Sequence, residues 1–306
     1  MAFNKKNVVH LDQEAWERTV KRRRIIAIAL LAGILVGLGA SYLIRNVIIP
    51  GRAYGEAEAA ITAGNIAEGI EKLTLLDDYN GAAKRAAKLA YSECGSDYDY
   101  LKHLAVDDVI EFGHYEQDGN AANGLEPIKW QVYMKDGNTV YLLAVDVLDH
   151  HVYHNEKTDI AWSDCDLRSW LNTDFLTEAF TEKERLLIAK TLNKASKNPV
   201  SHVTNGGNTE DKIFVPSLEE IMKSSRDGAD INVFSLSALP TNYAVKRGVE
   251  KFQYGTATWW LRTPGTERDN ITISDASGVP IYVRRVNYPG VGVRPAMMLL
   301  VYDDEG

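Results

Sequence analysis

The run Ile25 to Ile44, IIAIALLAGILVGLGASYLI, contains no charged residue. At about 1.5 Å of rise per residue, some 20 apolar residues in a helix cross the roughly 30 Å hydrocarbon core of a bilayer. Lys21-Arg22-Arg23-Arg24 abuts the run on its N-terminal side. Positive flanks are retained in the cytoplasm. The sequence therefore predicts a cytoplasmic basic tail over 1–24, a single transmembrane helix over 25–44, and a cell-membrane protein whose C-terminal part is extracytoplasmic. The alternative is a cleaved signal peptide, with Gly37, Gly39 and Ala40 as the small residues at the cut. The long head, and a run longer than the usual signal core of about 7–15 residues, favour an uncleaved anchor. Tyr42 is placed for the membrane interface, and Gly33, Gly37 and Gly39 let a second helix approach. Self-association through this helix or the segment after it is an expectation.

Charge divides along the same line. Up to Arg52 the chain holds nine basic and three acidic residues, or +6; the whole is −8, so the remainder is −14. An acidic body argues against a nucleic-acid partner. The two cysteines, Cys94 and Cys165, both follow the membrane run. They pair in an oxidising compartment, or stand as separate buried thiols; neither has the spacing of a metal knuckle or a CxxC redox pair.

Residues 53–95 are rich in alanine and long-chain residues, which favour helix. Tyr54, Ala57 and Ile61 form one stripe, Ile66, Ile70 and Leu73 a second, and Ala82, Ala86, Leu89 and Ala90 a third. Gly64-Asn65 and Asp77-Asp78-Tyr79-Asn80-Gly81 separate them. The segment is expected to be a short helical-hairpin spacer, a stalk that holds the next domain off the membrane. Its small-residue pattern resembles tetratricopeptide-type hairpins, though one unit is too short for a solenoid.

Residues 100–306 change to period 2. IKWQVYMKD, the turn around Gly137 and TVYLLAVDVL read as a β-hairpin. Helices are expected at Asp166–Leu171 and Glu182–Leu192, the latter capped by Thr181, with a polar loop from Pro199 to Asp211. IFVPS leads into a helix at LEEIMKSS, and strands return at ATWWLRT, NITIS, PIYVRRV and GVRPAMMLLV. Strands at both ends with helices between give an α+β class.

Adjacent strand residues point to opposite faces, so at most one of Trp259 and Trp260 is expected in the core. Arg262 is read as serving a buried carboxylate or carbonyls. Arg168 and Trp170 are read as scaffold, with Leu171 docking a helix and Asn172 capping it. Arg294-Pro295 fits an edge strand, because proline cannot donate to a ladder.

FGHYEQD, EPIKWQV, LRSWLN, DKIFVPSLEEI, TWWLRTPG and GVGVRPAMML occur in this order. From about residue 105 onward the series resembles the bacterial family of domain of unknown function 6273, found mainly on Gram-positive cell envelopes. That family is similar to the C-type-lectin-like fold shared with formylglycine-generating enzymes. The resemblance implies a C-type-lectin-like ectodomain that displays its ligand surface in C-terminal loops. It nominates Thr266, Arg268, Asp269, Asn270, Tyr282, Arg284, Asn287 and Tyr288, with Trp260 as a further candidate. Ordinary solvated loops are the alternative for each. The oxidase chemistry of the similar enzymes needs C-terminal cysteines, and none follows Cys165 here, so that activity is rejected.

Catalytic patterns are thin. His150, His151 and His154 are candidates for a metal, set against a solvated loop. Asp164, Asp166, Asp174 and Asn208 offer oxygens for calcium, again against ordinary surface carboxylates. No GxSxG, HExxH, P-loop or Rossmann fingerprint occurs. The expectation is a non-catalytic membrane-anchored protein, without cofactor, that binds a protein, glycan or wall ligand. The rivals are a metal-dependent enzyme around the histidines and a structural subunit of an envelope complex.

Overall fold

The computed structural model describes residues 13–76, 79–204, 206–224 and 236–302. Residues 1–12 of the basic tail, Asp77-Asp78 of the second break and the last residues, 303–306, lie outside the described residues. The chain divides into two units, one up to Gly55 and one from Glu56.

In the first unit, helix α1 spans Gln13–Leu43 and runs through one wider turn, Ile44–Ile48, into helix α2, Ile49–Thr62. The wider turn has a local cause. Pro50 has no N–H, and its ring crowds the carbonyl four residues back, so the ladder loosens just before it. The Asn46 side-chain amide there donates to the Tyr42 carbonyl at 2.9 Å. This N-terminal helix is long and apolar enough to span a membrane. Ile25, Leu35 and Val36 are 67, 68 and 72 % exposed, a continuous apolar surface that water does not favour.

The second unit opens with the end of α2, followed by α3 (Ile66–Thr74) and α4 (Ala82–Cys94). Ala57, Ile70, Leu73, Ala82, Ala86, Leu89 and Ala90 are buried. Gly69 passes so close to Ile61 that an added Cβ would lie 2.3 Å from its Cγ1. The expected stalk is instead docked on the domain. Tyr91 Oη donates to the Leu300 carbonyl at 3.1 Å. Thr74 Oγ1 donates to the Lys190 carbonyl at 3.1 Å, and Glu71 receives Lys212 Nζ at 3.0 Å. Alanines along α4 let the helix lie close, which is what brings these partners within reach.

The domain then builds β1 (Val109–Tyr115), β2 (Glu126–Asp136), β3 (Thr139–Ala144) and β4 (Asp149–His150). Next come α5 (Asp166–Trp170), a wide turn at Leu171–Phe175, α6 (Leu176–Ala179) and α7 (Glu182–Leu187). Short strands β5 (Ile188–Ala189), β6 (Thr191–Asn193), β7 (Thr209–Asp211) and β8 (Ile213–Phe214) lead to α8 (Leu218–Ser224) and α9 (Asn242–Arg247). The chain ends in β9 (Trp259–Pro264), β10 (Asn270–Ser274), β11 (Tyr282–Arg285), β12 (Gly292–Val293) and β13 (Ala296–Leu300). The architecture is α+β. One sheet runs β1-β2-β3-β13-β5 with β8 also on β13, a second runs β11-β10-β9-β12-β4, and β6 pairs with β7.

The hairpin forms with Asp136 opposite Thr139, and Gly137 turns the chain at φ +51. Gly113 sits at φ +71 where β1 shifts register, and a Cβ there would meet the Phe180 ring at 2.5 Å. The expected helix over 182–192 stops at Leu187. Thr181 caps its start with Glu184 in a reciprocal box, but Ile188 turns into strand and pairs with Leu299. A buried β-branched residue gains more on the sheet than on another helical turn. Arg294-Pro295 is not in an edge strand. It forms the link by which the chain leaves β12 in one sheet and enters β13 in the other, where the missing N–H breaks no ladder.

Candidate functional site

Of the nominated residues, Asn270, Tyr282 and Arg284 lie in β10 and β11, Thr266, Arg268 and Asp269 in the turn before β10, and Asn287 and Tyr288 just after β11. Asn270 faces Arg285 at one end of the strand pair and Ile273 faces Tyr282 at the other, roughly 10 Å away at about 3.3 Å per residue. At the first end, Asn270 Oδ1 accepts the Glu267 amide at 3.1 Å and closes the turn that carries exposed Thr266 and Arg268. Asp269 pairs with Arg285 at 3.0 Å, an exposed link of about 0–1 kcal/mol. Beyond it, the Arg284 guanidinium lies 5.4 Å from the Tyr288 ring, and Tyr288 Oη donates to Glu250 at 3.1 Å. Asn287 is half-buried. Tyr282 is 51 % exposed and its neighbour Ile281 67 %. Reasoning from sequence missed Arg285, Glu250 and Ile281, because each joins the surface through a strand pairing or a distant loop.

Trp260 does not belong to this surface. Both Trp259 and Trp260 are fully buried. The expectation that only one fits the core fails because β9 is an inner strand covered on both faces. Trp259 packs with Val147, Ile221, Leu236, Ala238 and Leu261 and donates Nε1–H to the Leu236 carbonyl at 3.0 Å. Trp260 donates to the His151 carbonyl at 2.9 Å and meets Tyr153 edge-on at 5.7 Å. Each indole finds an acceptor, as a buried one must.

The arginines sit in buried polar networks. Arg262 bonds both oxygens of Glu220 and the Val215 carbonyl, and lies 5.2 Å from the Phe214 ring. Arg294 donates to the Ala144 carbonyl at 2.7 Å and stacks 5.1 Å over Trp259. Its burial pulls the guanidinium pKa down to about 10. Arg168 Nε donates to Asp211 at 2.6 Å. Asp211, 1 % exposed, also accepts from Trp162 at 3.0 Å, Asn193 at 2.8 Å and Thr209 at 2.6 Å. Four donors offset the cost of burying that carboxylate. Asn172 is not a terminal cap. Its amide donates to the Arg168 and Ile213 carbonyls at 3.1 and 2.8 Å and accepts the Lys212 amide at 2.8 Å, stitching the wide turn to β8. Trp170 stacks on His151 at 5.1 Å.

The three histidines do not converge. His150 Nε2 accepts the Gly290 amide at 3.4 Å, His151 Nδ1 faces the Val152 carbonyl at 2.7 Å, and His154 Nδ1 lies 2.9 Å from Asp166. Burial holds His150 below the ordinary histidine pKa, against the pull of Asp149. Asp149 is itself buried, and accepts from Tyr115 at 2.6 Å and Arg247 at 3.3 Å. Three of the four candidate calcium ligands each meet a different donor. Asp164 takes Ser163 Oγ at 2.7 Å, Asp166 takes Asn155 at 2.6 Å, and Asn208 takes the Ala195 amide at 2.9 Å. Cys94 and Cys165 do not pair; both are free and buried.

The body is an α+β domain whose second sheet ends in an outer strand carrying Tyr282, Arg284 and Arg285, with buried polar networks around Asp211, Glu220 and Arg294. The chain belongs to the family of domain of unknown function DUF6273, whose model matches residues 137–301, just over half of the chain. LRSWLN, DKIFVPSLEEI, TWWLRTPG and GVGVRPAMML lie inside that match; FGHYEQD and EPIKWQV lie before it. No curated protein and no solved structure matches the chain.

Proposed function

We propose that this chain is a single-pass, membrane-anchored binding protein, non-catalytic, that recognises an extracytoplasmic ligand through the β10–β11 edge. The observation that carries this is the edge itself. β11 is the outermost strand of its sheet, paired with β10 alone among the described residues, and it presents Tyr282 and Arg284 beside exposed Ile281. Uncovered edges attract other chains and are normally blunted or occupied. Tyrosine offers a flat face to a sugar or side chain, and arginine a planar fork to a carboxylate or phosphate. A protein, glycan or wall polymer with anionic groups fits that pair. A C-type-lectin-like reading of the body accords with recognition in this C-terminal region. The Lys21–Arg24 flank supports a cytoplasmic N-terminus, with the body outside.

The test compares residues 53–306 in native form with a Tyr282→Ser, Arg284→Ser, Tyr288→Ser variant. Both are assayed on isolated envelopes, purified wall and a glycan panel, with Tm measured alongside. Binding by the native form alone, at similar Tm, supports the edge as the recognition surface. Equal binding by both forms, or by neither, removes it.

A further inference from the structure

The loop between β1 and β2 reads Glu116-Gln117-Asp118-Gly119-Asn120-Ala121-Ala122-Asn123-Gly124-Leu125-Glu126. One carboxylate oxygen from each of Glu116, Asp118 and Glu126 lies within 4.8 Å of the other two. Like charges so close repel unless something compensates them. Glu116 is 6 % exposed, and its Oε1 accepts the Gly119 and Asn120 amides at 2.6 and 2.9 Å. Its Oε2 is buried with no hydrogen-bond donor. A buried carboxylate oxygen left without a partner is costly, and such an atom marks a missing cation or donor. The other two carboxylates are held in place. Asp118 accepts the Asn120 amide at 2.6 Å and Asn123 Nδ2 at 2.8 Å, and Glu126 accepts the Gln117 amide at 2.7 Å. Lys246 donates to the Gly119 carbonyl at 2.7 Å, so one lysine charge offsets part of the three negative ones.

We propose that this loop binds one calcium ion, with Glu116, Asp118 and Glu126 as its carboxylate ligands. The donors are all oxygen, which selects a hard cation. Two ligands of one calcium, each at about 2.4 Å, are at most about 4.8 Å apart, and the three carboxylates meet that limit before any adjustment. Magnesium needs a tighter octahedron at about 2.0–2.1 Å. The Tyr243 amide donates to the Gln117 carbonyl at 2.9 Å, and Lys246 belongs to the same helix. These two bonds tie the ligand loop to α9.

The experiment uses the full-length protein in detergent, stripped with chelator and returned to metal-free buffer. Calorimetric titration with calcium chloride is expected to give one ion per chain, with a Kd of roughly 10⁻⁴–10⁻³ M, the range of extracellular modules. At about ten times Kd, Tm is expected to rise by about 3–5 °C. Asp118 is exposed, so Asp118→Asn keeps the fold and is expected to weaken binding at least about tenfold, as loss of a charged ligand does. Glu116→Gln removes the uncompensated charge; it is expected to leave the metal-free Tm unreduced while abolishing the calcium response. No heat and no Tm shift up to about 10 mM calcium, well above that Kd range, would overturn the proposal. An undiminished response in Asp118→Asn would do the same, and an equal response to magnesium chloride would overturn the assignment to calcium.

Discussion

Arg262 and Glu220 form a two-pronged ion pair between β9 and α8, with the guanidinium 3 % exposed and the carboxylate 27 %. Glu220 also accepts the Ser217 amide at 3.0 Å, while Arg262 reaches the Val215 carbonyl at 2.9 Å. The pair thus holds the approach to α8 against the inner strand of the second sheet. Removing Glu220 strands the Arg262 charge in the core. Glu220→Ala is expected to cost about 3 kcal/mol or more in urea unfolding, and Glu220→Gln distinctly less, since it keeps an acceptor. Equal, sub-kcal losses would show that the pair does not anchor the helix.

The two aromatics that compete for a ligand role separate by stability. Trp260→Ala is expected to cost about 3–5 kcal/mol, because it empties a fully buried indole site. Tyr282→Ala is expected to stay within about 0.5 kcal/mol, as exposed positions do. Thermal unfolding of both variants decides it. A Trp260→Ala protein of native Tm would return that residue to the surface.

The thiols are expected to be inert. Burial pushes Cys94 up to about 11 and Cys165 up to about 12, so the thiolate is scarce at neutral pH. Native protein is expected to resist alkylation and to migrate identically with and without reductant, and both cysteines are expected to label after unfolding. Rapid labelling in the native state would contradict their burial.

Acid stability is expected to depend in part on His150. Burial, reinforced by Arg247 and His151 and opposed by Asp149, holds its folded pKa below the unfolded value of 6.5. The unfolded chain therefore binds the proton more readily. The stabilising contribution is complete above pH 6.5 and is lost as pH falls through the folded value. Asp166 is also depressed; Asn155 and His154 outweigh the burial that opposes them, and its loss begins only below 3.8. His150→Gln is expected to show a smaller drop in Tm than the native protein between pH 7.5 and 5.0, the interval set by the histidine value. Parallel drops would assign the acid sensitivity to other groups.

The membrane-length helix, the hairpin over 126–144 and the α+β class were legible in the chain because each rests on a local pattern. An uncharged run of fixed length, alternation at period 2 and a Gly137 turn need no knowledge of distant residues. The candidate surface was legible in part. Arg284 was readable on a strand face and Tyr288 in the loop that follows, but Glu250, 38 residues from Tyr288, was not. The same limit explains the misread tryptophans. Period-2 reasoning assigns Trp259 and Trp260 to opposite faces, but only the tertiary arrangement covers both faces of β9. Arg168 and Arg262 needed carboxylate partners, and those came from Asp211 and Glu220, 43 and 42 residues away. Local sequence determines which segments become helix or strand, since backbone sterics and hydrophobic periodicity act over a few residues. Which faces are covered, and which charges meet, is decided by how the sheets and helices pack, because burial and Coulomb partners are properties of space rather than of chain position.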